Sequence, residues 1–279
     1  MPYQAEISRA NPSCFLFLID QSGSMSDPFS GGESSKRKAD GVSDGINKIL
    51  QNLVIKCAKG EDVLDRLHVG VIGYGNSTGS AFAGSLAGRD LYPISQIAKS
   101  PARIEERTKK VDDGAGGLVD QTIKFPIWFD PVANGGTPMC QALAHAKTIV
   151  QDWIGQHPSS FPPIVMNFTD GEATDGNPLD IADEIRRLTT NDGNVLLFNV
   201  HLSSIRANPV VFPDKEKELP DDFARLLFNM SSILPTTFHN AAREFGYVVS
   251  EASRGFAFNA DLVSVVQFLE IGTRPSNLR

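Results

Sequence analysis

Unbroken apolar runs alternate along this chain with stretches whose apolar residues recur every three or four positions. Cys14-Phe15-Leu16-Phe17-Leu18-Ile19 carries no polar residue, which suits a strand covered on both faces of a parallel sheet. His68-Val69-Gly70-Val71-Ile72-Gly73-Tyr74, Ile164 to Thr169 and Val195 to Leu202 read as further strands. Ala39, Val42, Ile46, Ile49, Leu53 and Cys57 fall on one helical stripe, and Gly60 is expected to end that helix. Pro138, a residue favoured at the first helical position, opens a helix that runs through Met139, Leu143, Ala146, Val150 and Trp153. Asn177-Pro178 opens another, whose Asp180, Asp183 and Glu184 complement the positive end of its dipole. Strands alternating with helices predict an α/β fold with a doubly wound, mostly parallel central sheet flanked by helices.

Two stretches break the alternation. Residues 75–120 are Gly-rich and weakly periodic. They read as a short hairpin near Ala81–Phe82 and then a long excursion holding the charged piece Arg103–Lys110. Residues 203–222 are rich in Pro and charge and read as a loop. Both are taken as insertions in one domain spanning 1–279. Trp128, within Phe125–Phe129, is expected on a strand covering the sheet. Short helices are predicted at Phe223–Phe228 and Phe238–Phe245, a last strand at Tyr247–Ser250, and a closing amphipathic helix at Ala260–Ile271.

With 26 Lys and Arg against 33 Asp and Glu, the net charge is −7, which argues against general binding to nucleic acid or anionic membranes. No stretch is long and apolar enough to span a bilayer. Met1–Glu6 lacks the basic-then-apolar pattern of a signal peptide. Cys14, Cys57 and Cys140 are few, odd in number and set in apolar surroundings, so they read as buried free thiols in a reducing, cytoplasmic setting. Lys36-Arg37-Lys38 reads as a solvated basic face. The five histidines are scattered, and neither a Gly-x-Ser-x-Gly elbow nor a phosphate-binding P-loop is present.

The chemistry concentrates in three short segments: Asp20-Gln21-Ser22-Gly23-Ser24, Gly135-Gly136-Thr137-Pro138 and Thr169-Asp170-Gly171-Glu172. The first and third end predicted strands and the second precedes a helix. That puts all three on one rim of the sheet, outside the carboxyl ends of the strands, where α/β folds bind ligands. Ser22 and Ser24, separated by a glycine, can face one point. The donors are all oxygen, which selects Mg²⁺, with Mn²⁺ or Ca²⁺ as further options, over softer metals. Glu172 stands close to the set, while Asp27 and Asp175 read as solvated loop acids.

In this order and context, Asp20-x-Ser22-x-Ser24, Thr137 and Asp170 resemble the metal-ion-dependent adhesion site of the von Willebrand factor type A (vWA) family. The resemblance implies a vWA fold with the first strand central. It also implies direct or water-mediated contact of Ser22, Ser24 and Thr137 with the cation. Asp20 and Asp170 would complete the inner or second shell, and a partner's Asp or Glu would take the open position. The implied role is a non-enzymatic binding module. The chain is similar to stand-alone bacterial vWA proteins of the tellurium-resistance type, which accompany a protein kinase and a PP2C-type phosphatase; other such proteins accompany MoxR-type AAA+ ATPases. The alternative is a metal-dependent hydrolase in which the cation activates water and Glu172 or Asp170 serves as base.

Overall fold

The structure, a computed structural model, describes residues 2–28, 36–112, 117–202 and 208–259, together with Ser264, Gln267, Phe268, Glu270 and Ile271. The first strand, β1 (Ser13–Asp20), is buried along its whole length. Helix α1 (Lys38–Cys57) follows. It stops at Cys57, and Gly60, at φ +64°, turns a two-residue hairpin, β2 (Ala58–Lys59) and β3 (Asp62–Val63). The predicted helix stop is therefore a hairpin turn three residues downstream of the real end. Next come β4 (Leu67–Tyr74), β5 (Thr78–Ser80), β6 (Tyr92–Pro93) and α2 (Ile94–Lys99). Strands β7 (Arg103–Asp112) and β8 (Leu118–Ile127) form an antiparallel ribbon. Helix α3 (Met139–Gln156), β9 (Ile164–Thr169) and α4 (Leu179–Arg187) lead to a small hairpin, β10 (Thr189–Thr190) and β11 (Gly193–Asn194). The remaining elements are β12 (Leu196–His201), β13 (Val210–Val211), α5 (Asp222–Met230), α6 (Thr236–Glu244) and β14 (Phe256–Phe258).

The main sheet runs β13-β14-β12-β9-β1-β4-β5, with β6 also on β4. Strands β14, β12, β9, β1 and β4 are parallel, and β13, β5 and β6 add antiparallel edges. This is the doubly wound, mostly parallel sheet expected, with β1 in its interior. The apolar run of β1 serves two cores because successive side chains point to opposite faces. Phe15, Phe17 and Ile19 join Val42, Ile46 and Ile49 of α1. Leu16 and Leu18 join Met139, Leu143 and Ala146 of α3. Among the described residues no helix is long and apolar enough to cross a membrane.

Residues 75–120 differ most from expectation. They hold β5, β6, α2, β7 and the start of β8, and no hairpin turns at Ala81–Phe82. Arg103–Lys110 lies within β7, which has charge along both faces of its ribbon. Arg107 bonds Glu105 and reaches Asp44 of α1, while its guanidinium lies 3.9 Å from the Phe125 ring centroid. The buried apolar residues of this ribbon, Phe125 and Ile127, belong to β8, so β7 itself carries no apolar alternation and the period-two signal of a strand is missing. The last strand is β14, at Phe256–Phe258; Tyr247–Ser250 is in no strand. The three residues of β14 were too short a run to register, yet all are buried between β12 and β13. Within 203–222, residues 208–222 carry β13 and a turn of 3-10 helix at Glu216–Glu218, and the rest of that loop lies outside the described residues. Of the closing helix, Ser264, Gln267, Phe268, Glu270 and Ile271 are helical and the other positions lie outside the described residues.

Trp128 sits just past β8 rather than on a strand, buried, with its indole N–H on the Ile97 carbonyl at 2.7 Å. Asn47 of α1 pins this stretch. Its Oδ1 accepts from Trp128 N at 2.9 Å, and its Nδ2 donates to the Ser43 and Phe129 carbonyls at 3.0 and 3.1 Å. Leucine there leaves a buried N–H without its acceptor and weakens the bonding of a buried carbonyl, at about 1–3 kcal/mol per orphaned group. We expect Asn47→Leu to lower the unfolding free energy by about 2–4 kcal/mol, measured by urea denaturation. A variant as stable as wild type would remove the pin from this account.

Candidate metal centre

Asp20 closes β1 with no solvent exposure, and both of its carboxylate oxygens are engaged. Oδ1 accepts from the backbone N–H of Ser22 at 2.8 Å, and Oδ2 accepts from the Thr169 hydroxyl at 2.7 Å. The chain turns sharply after Asp20 into a 3-10 turn, Gly23–Ser26. That turn brings Ser22 Oγ and Ser24 Oγ to 3.0 Å. Ser24 Oγ donates to Asp170 Oδ1 at 2.7 Å. Asp170 directly follows β9, the parallel neighbour of β1. A chain of contacts thus links the two carboxylates through the two serines.

Thr137 enters from the stretch before α3. Gly23 N donates to the Gly135 carbonyl at 3.0 Å, which ties that stretch to the serine turn. Gly135 has φ +101°, and a Cβ there would stand 2.6 Å from Asn76 N, so only glycine fits. Thr174, two residues past the third segment, locks Thr137: Thr137 N donates to Thr174 Oγ1 at 3.1 Å, and Thr174 N donates to the Thr137 carbonyl at 2.9 Å. A Cβ built on Gly171 would lie 3.5 Å from Thr137 Oγ1 and 3.9 Å from Ser24 Oγ. The structure therefore gathers Asp20, Ser22, Ser24, Thr137 and Asp170 at one rim of the sheet. Their donor set is three hydroxyls and two carboxylates, which fits a hard divalent cation. Among the described residues no three His, Cys, Asp or Glu side chains group as an alternative metal site.

Burial dominates the electrostatics. It pushes Asp20 up to about 6, opposed by hydrogen bonds from Ser22 and Thr169 and reinforced by the charge of Asp170. Lys38 answers that negative charge. Its Nζ donates to Asp170 Oδ2 at 2.8 Å, and its side chain is only 1% exposed. The basic tripeptide is thus split. Lys36 and Arg37 lie at the surface in ion pairs with Asp44 and Asp40, while Lys38 turns inward. The signal was present: Lys38 stands four residues before Val42 and continues the buried stripe of α1.

Other residues near the rim take structural roles. Asp175 accepts from Cys140 N and Gln141 N at 3.0 and 2.8 Å and caps the start of α3, so it is not a free loop acid. Asp27 and Glu172 are exposed. Glu172 borders an open cleft of about 420 Å³ with Ala173, Asp222, Phe223 and Leu226. Cys14 and Cys57 are buried free thiols as expected, whereas Cys140 is half-buried. His201 ends β12 in register with Thr169, and its ring packs on Phe223 and Phe258. It is 4% exposed, and among the described residues its Nδ1 has no hydrogen-bond partner.

No protein-family model and no curated protein matches the chain. Solved structures do. Two structures of proximal thread matrix protein 1 from the mussel byssus, one with a zinc-occupied MIDAS motif, align over 98% of this chain at 12% and 13% identity, with TM-scores of 0.46 and 0.48. The chain spans about half, 49%, of each of them. The ArnB paralog VWA2 from Sulfolobus acidocaldarius aligns over 71% of this chain and 36% of its own, at 13% identity and a TM-score of 0.34. Identity this low leaves the chemistry of the rim to be argued from its own residues.

Burial drives His201 down from the ordinary 6.5 to about 4. The folded state therefore binds fewer protons than the unfolded chain between those values. The stability this histidine contributes is full above pH 6.5 and is lost as pH falls toward 4. We expect wild type to lose about 3 kcal/mol more than His201→Phe between pH 7 and pH 4, measured by urea denaturation in chelator. Parallel losses in the two proteins would contradict a neutral buried His201.

Proposed function

We propose that this protein is a non-enzymatic, metal-dependent protein-binding module of the vWA kind, spanning the chain as one domain. Asp20, Ser22, Ser24, Thr137 and Asp170 would hold a Mg²⁺ ion, with Mn²⁺ or Ca²⁺ as substitutes. The observation that carries this reading is the linked rim, from Asp20 through Ser22 and Ser24 to Asp170. It assembles from the ends of two neighbouring parallel strands, and Thr137 approaches it from the stretch before α3.

The charge balance supports docking. Three of the five ligands are neutral hydroxyls, so a divalent ion held there remains short of anionic donors. When bound, the ion supplies a positive centre for an outside carboxylate, an Asp or Glu of a partner protein. The chain's own residues orient that centre. Ser22 N and Thr169 fix Asp20, Ser24 fixes Asp170, and Thr174 fixes Thr137. The open cleft beside Glu172 gives room for the partner's neighbouring side chains. A kinase–phosphatase pair or an AAA+ ATPase as that partner, and a cytoplasmic setting, follow from the family resemblance alone.

Calorimetric titration tests the ligand set. We expect Asp20→Ala and Thr137→Ala each to weaken Mg²⁺ binding by roughly tenfold or more while the circular dichroism spectrum stays native-like. Mg²⁺ at 100 times its dissociation constant should stabilise wild type by about 2.7 kcal/mol and the variants less. Equal affinity in all three proteins would remove these residues from the site.

A further inference from the structure

Lys38 is a buried cation inside a site whose chemistry calls for another cation. A structural plug for Asp170 would need only to neutralise it. The geometry is more specific than that. Asp170 is held by both oxygens at once, Oδ1 by the Ser24 hydroxyl at 2.7 Å and Oδ2 by Lys38 Nζ at 2.8 Å. Lys38 thus takes the oxygen away from the serines and leaves Oδ1 turned toward the hydroxyl cluster. The ammonium is also fixed in place. Lys38 is the first residue of α1, and its own N–H donates to the Asp27 carbonyl at 2.9 Å. At 1% exposure the side chain is out of reach of salt screening, so its charge acts at full strength on its neighbours.

We propose that Lys38 is a positioning residue that tunes the metal centre toward accepting an outside anion. This rests on the reading of the rim as a divalent-cation site. The carboxylates of Asp20 and Asp170 with the ammonium of Lys38 sum to one negative charge, and a divalent ion turns that sum to one positive charge. Without Lys38 the same ion would leave the rim neutral. Lys38 therefore trades affinity for the ion against affinity for the ion's outside ligand: it repels the cation, and it leaves a surplus positive charge that favours an Asp or Glu arriving from a partner.

The test uses the full chain and Lys38→Met, which keeps the length of the side chain and removes the charge. Mg²⁺ is titrated calorimetrically, thermal midpoints are measured in chelator and in saturating Mg²⁺, and ¹³C-acetate is titrated by NMR into the Mg²⁺-loaded proteins. We expect Lys38→Met to bind Mg²⁺ on the order of tenfold more tightly, since a nearby like charge is gone and Asp170 has lost its counter-ion. Its midpoint should fall in chelator, by roughly 5–10 °C, and recover in Mg²⁺. Acetate should bind the loaded variant several-fold more weakly than it binds loaded wild type. A purely structural lysine would lower both midpoints equally and leave Mg²⁺ affinity and acetate binding unmoved, and that result overturns the inference. Mg²⁺ binding to neither protein overturns the underlying metal reading instead. Should Lys38→Met not fold, Lys38→Met/Asp170→Asn, which removes both buried charges, is compared with Asp170→Asn. Tighter Mg²⁺ binding by the double variant supports the inference, and equal or weaker binding overturns it.

Discussion

A carboxylate with no access to solvent, Asp20 at the tip of β1, is the constraint around which this molecule is arranged. Burying a charge is costly unless it is hydrogen-bonded or paired. Here the compensation comes from the two directions the sheet provides. The turn after β1 returns the Ser22 N–H, and the parallel neighbour β9 offers the Thr169 hydroxyl. The second depends on the register in which Ile19 stands beside Phe168, which brings the two strand ends level. A one-residue slip between these strands would send Thr169 to the opposite face and strip Asp20 of a donor. The two-sided apolar core beneath, α1 and α6 on one face and α3, α4 and α5 on the other, fixes that register.

From that carboxylate the rest of the rim follows as a sequence of bonds. Ser22 touches Ser24, Ser24 bonds Asp170, and Lys38 closes the far side of Asp170. The loops that carry these groups are irregular, yet they are locked to one another through Gly23 and Gly135 and through Thr137 and Thr174. Preorganisation of this kind would let hydroxyls, which are weak ligands, act together on the cation proposed for the rim. It also explains the division of labour among the acids near the rim. Asp20 and Asp170 are shielded, Asp175 is used up capping α3, and Glu172 faces an open cleft that Asp222 also lines.

The buried strands β1, β4, β9 and β12 were legible in the chain, and so was the order of the segments that meet at the rim, because their signals are local. A fully apolar run such as 14–19 has few alternatives to a covered strand, and Asp-x-Ser-x-Ser directly after it can only stand at the strand's tip. Arg103–Lys110 was not legible as a strand, since it is paired to β8 by backbone bonds and carries ion pairs between residues two apart on its own strand rather than an apolar face. Lys38 was misread for the opposite reason. Its two neighbours in the basic tripeptide are at the surface, and composition spoke louder than its place on the helical stripe.

The sequence by itself determined the α/β alternation, the central place of the first strand's apolar run, and which hydroxyl and carboxylate residues follow the strand ends. Pattern and spacing along the chain encode those directly, through the two periods of helix and strand. Tertiary structure alone decided which oxygen of each carboxylate is bonded to what, that Asp175 caps a helix instead of joining the rim, and that a lysine 132 positions from Asp170 supplies its counter-charge. These choices depend on how distant segments meet in three dimensions and on the cost of leaving a buried charge unanswered, and neither is written in any local stretch of residues.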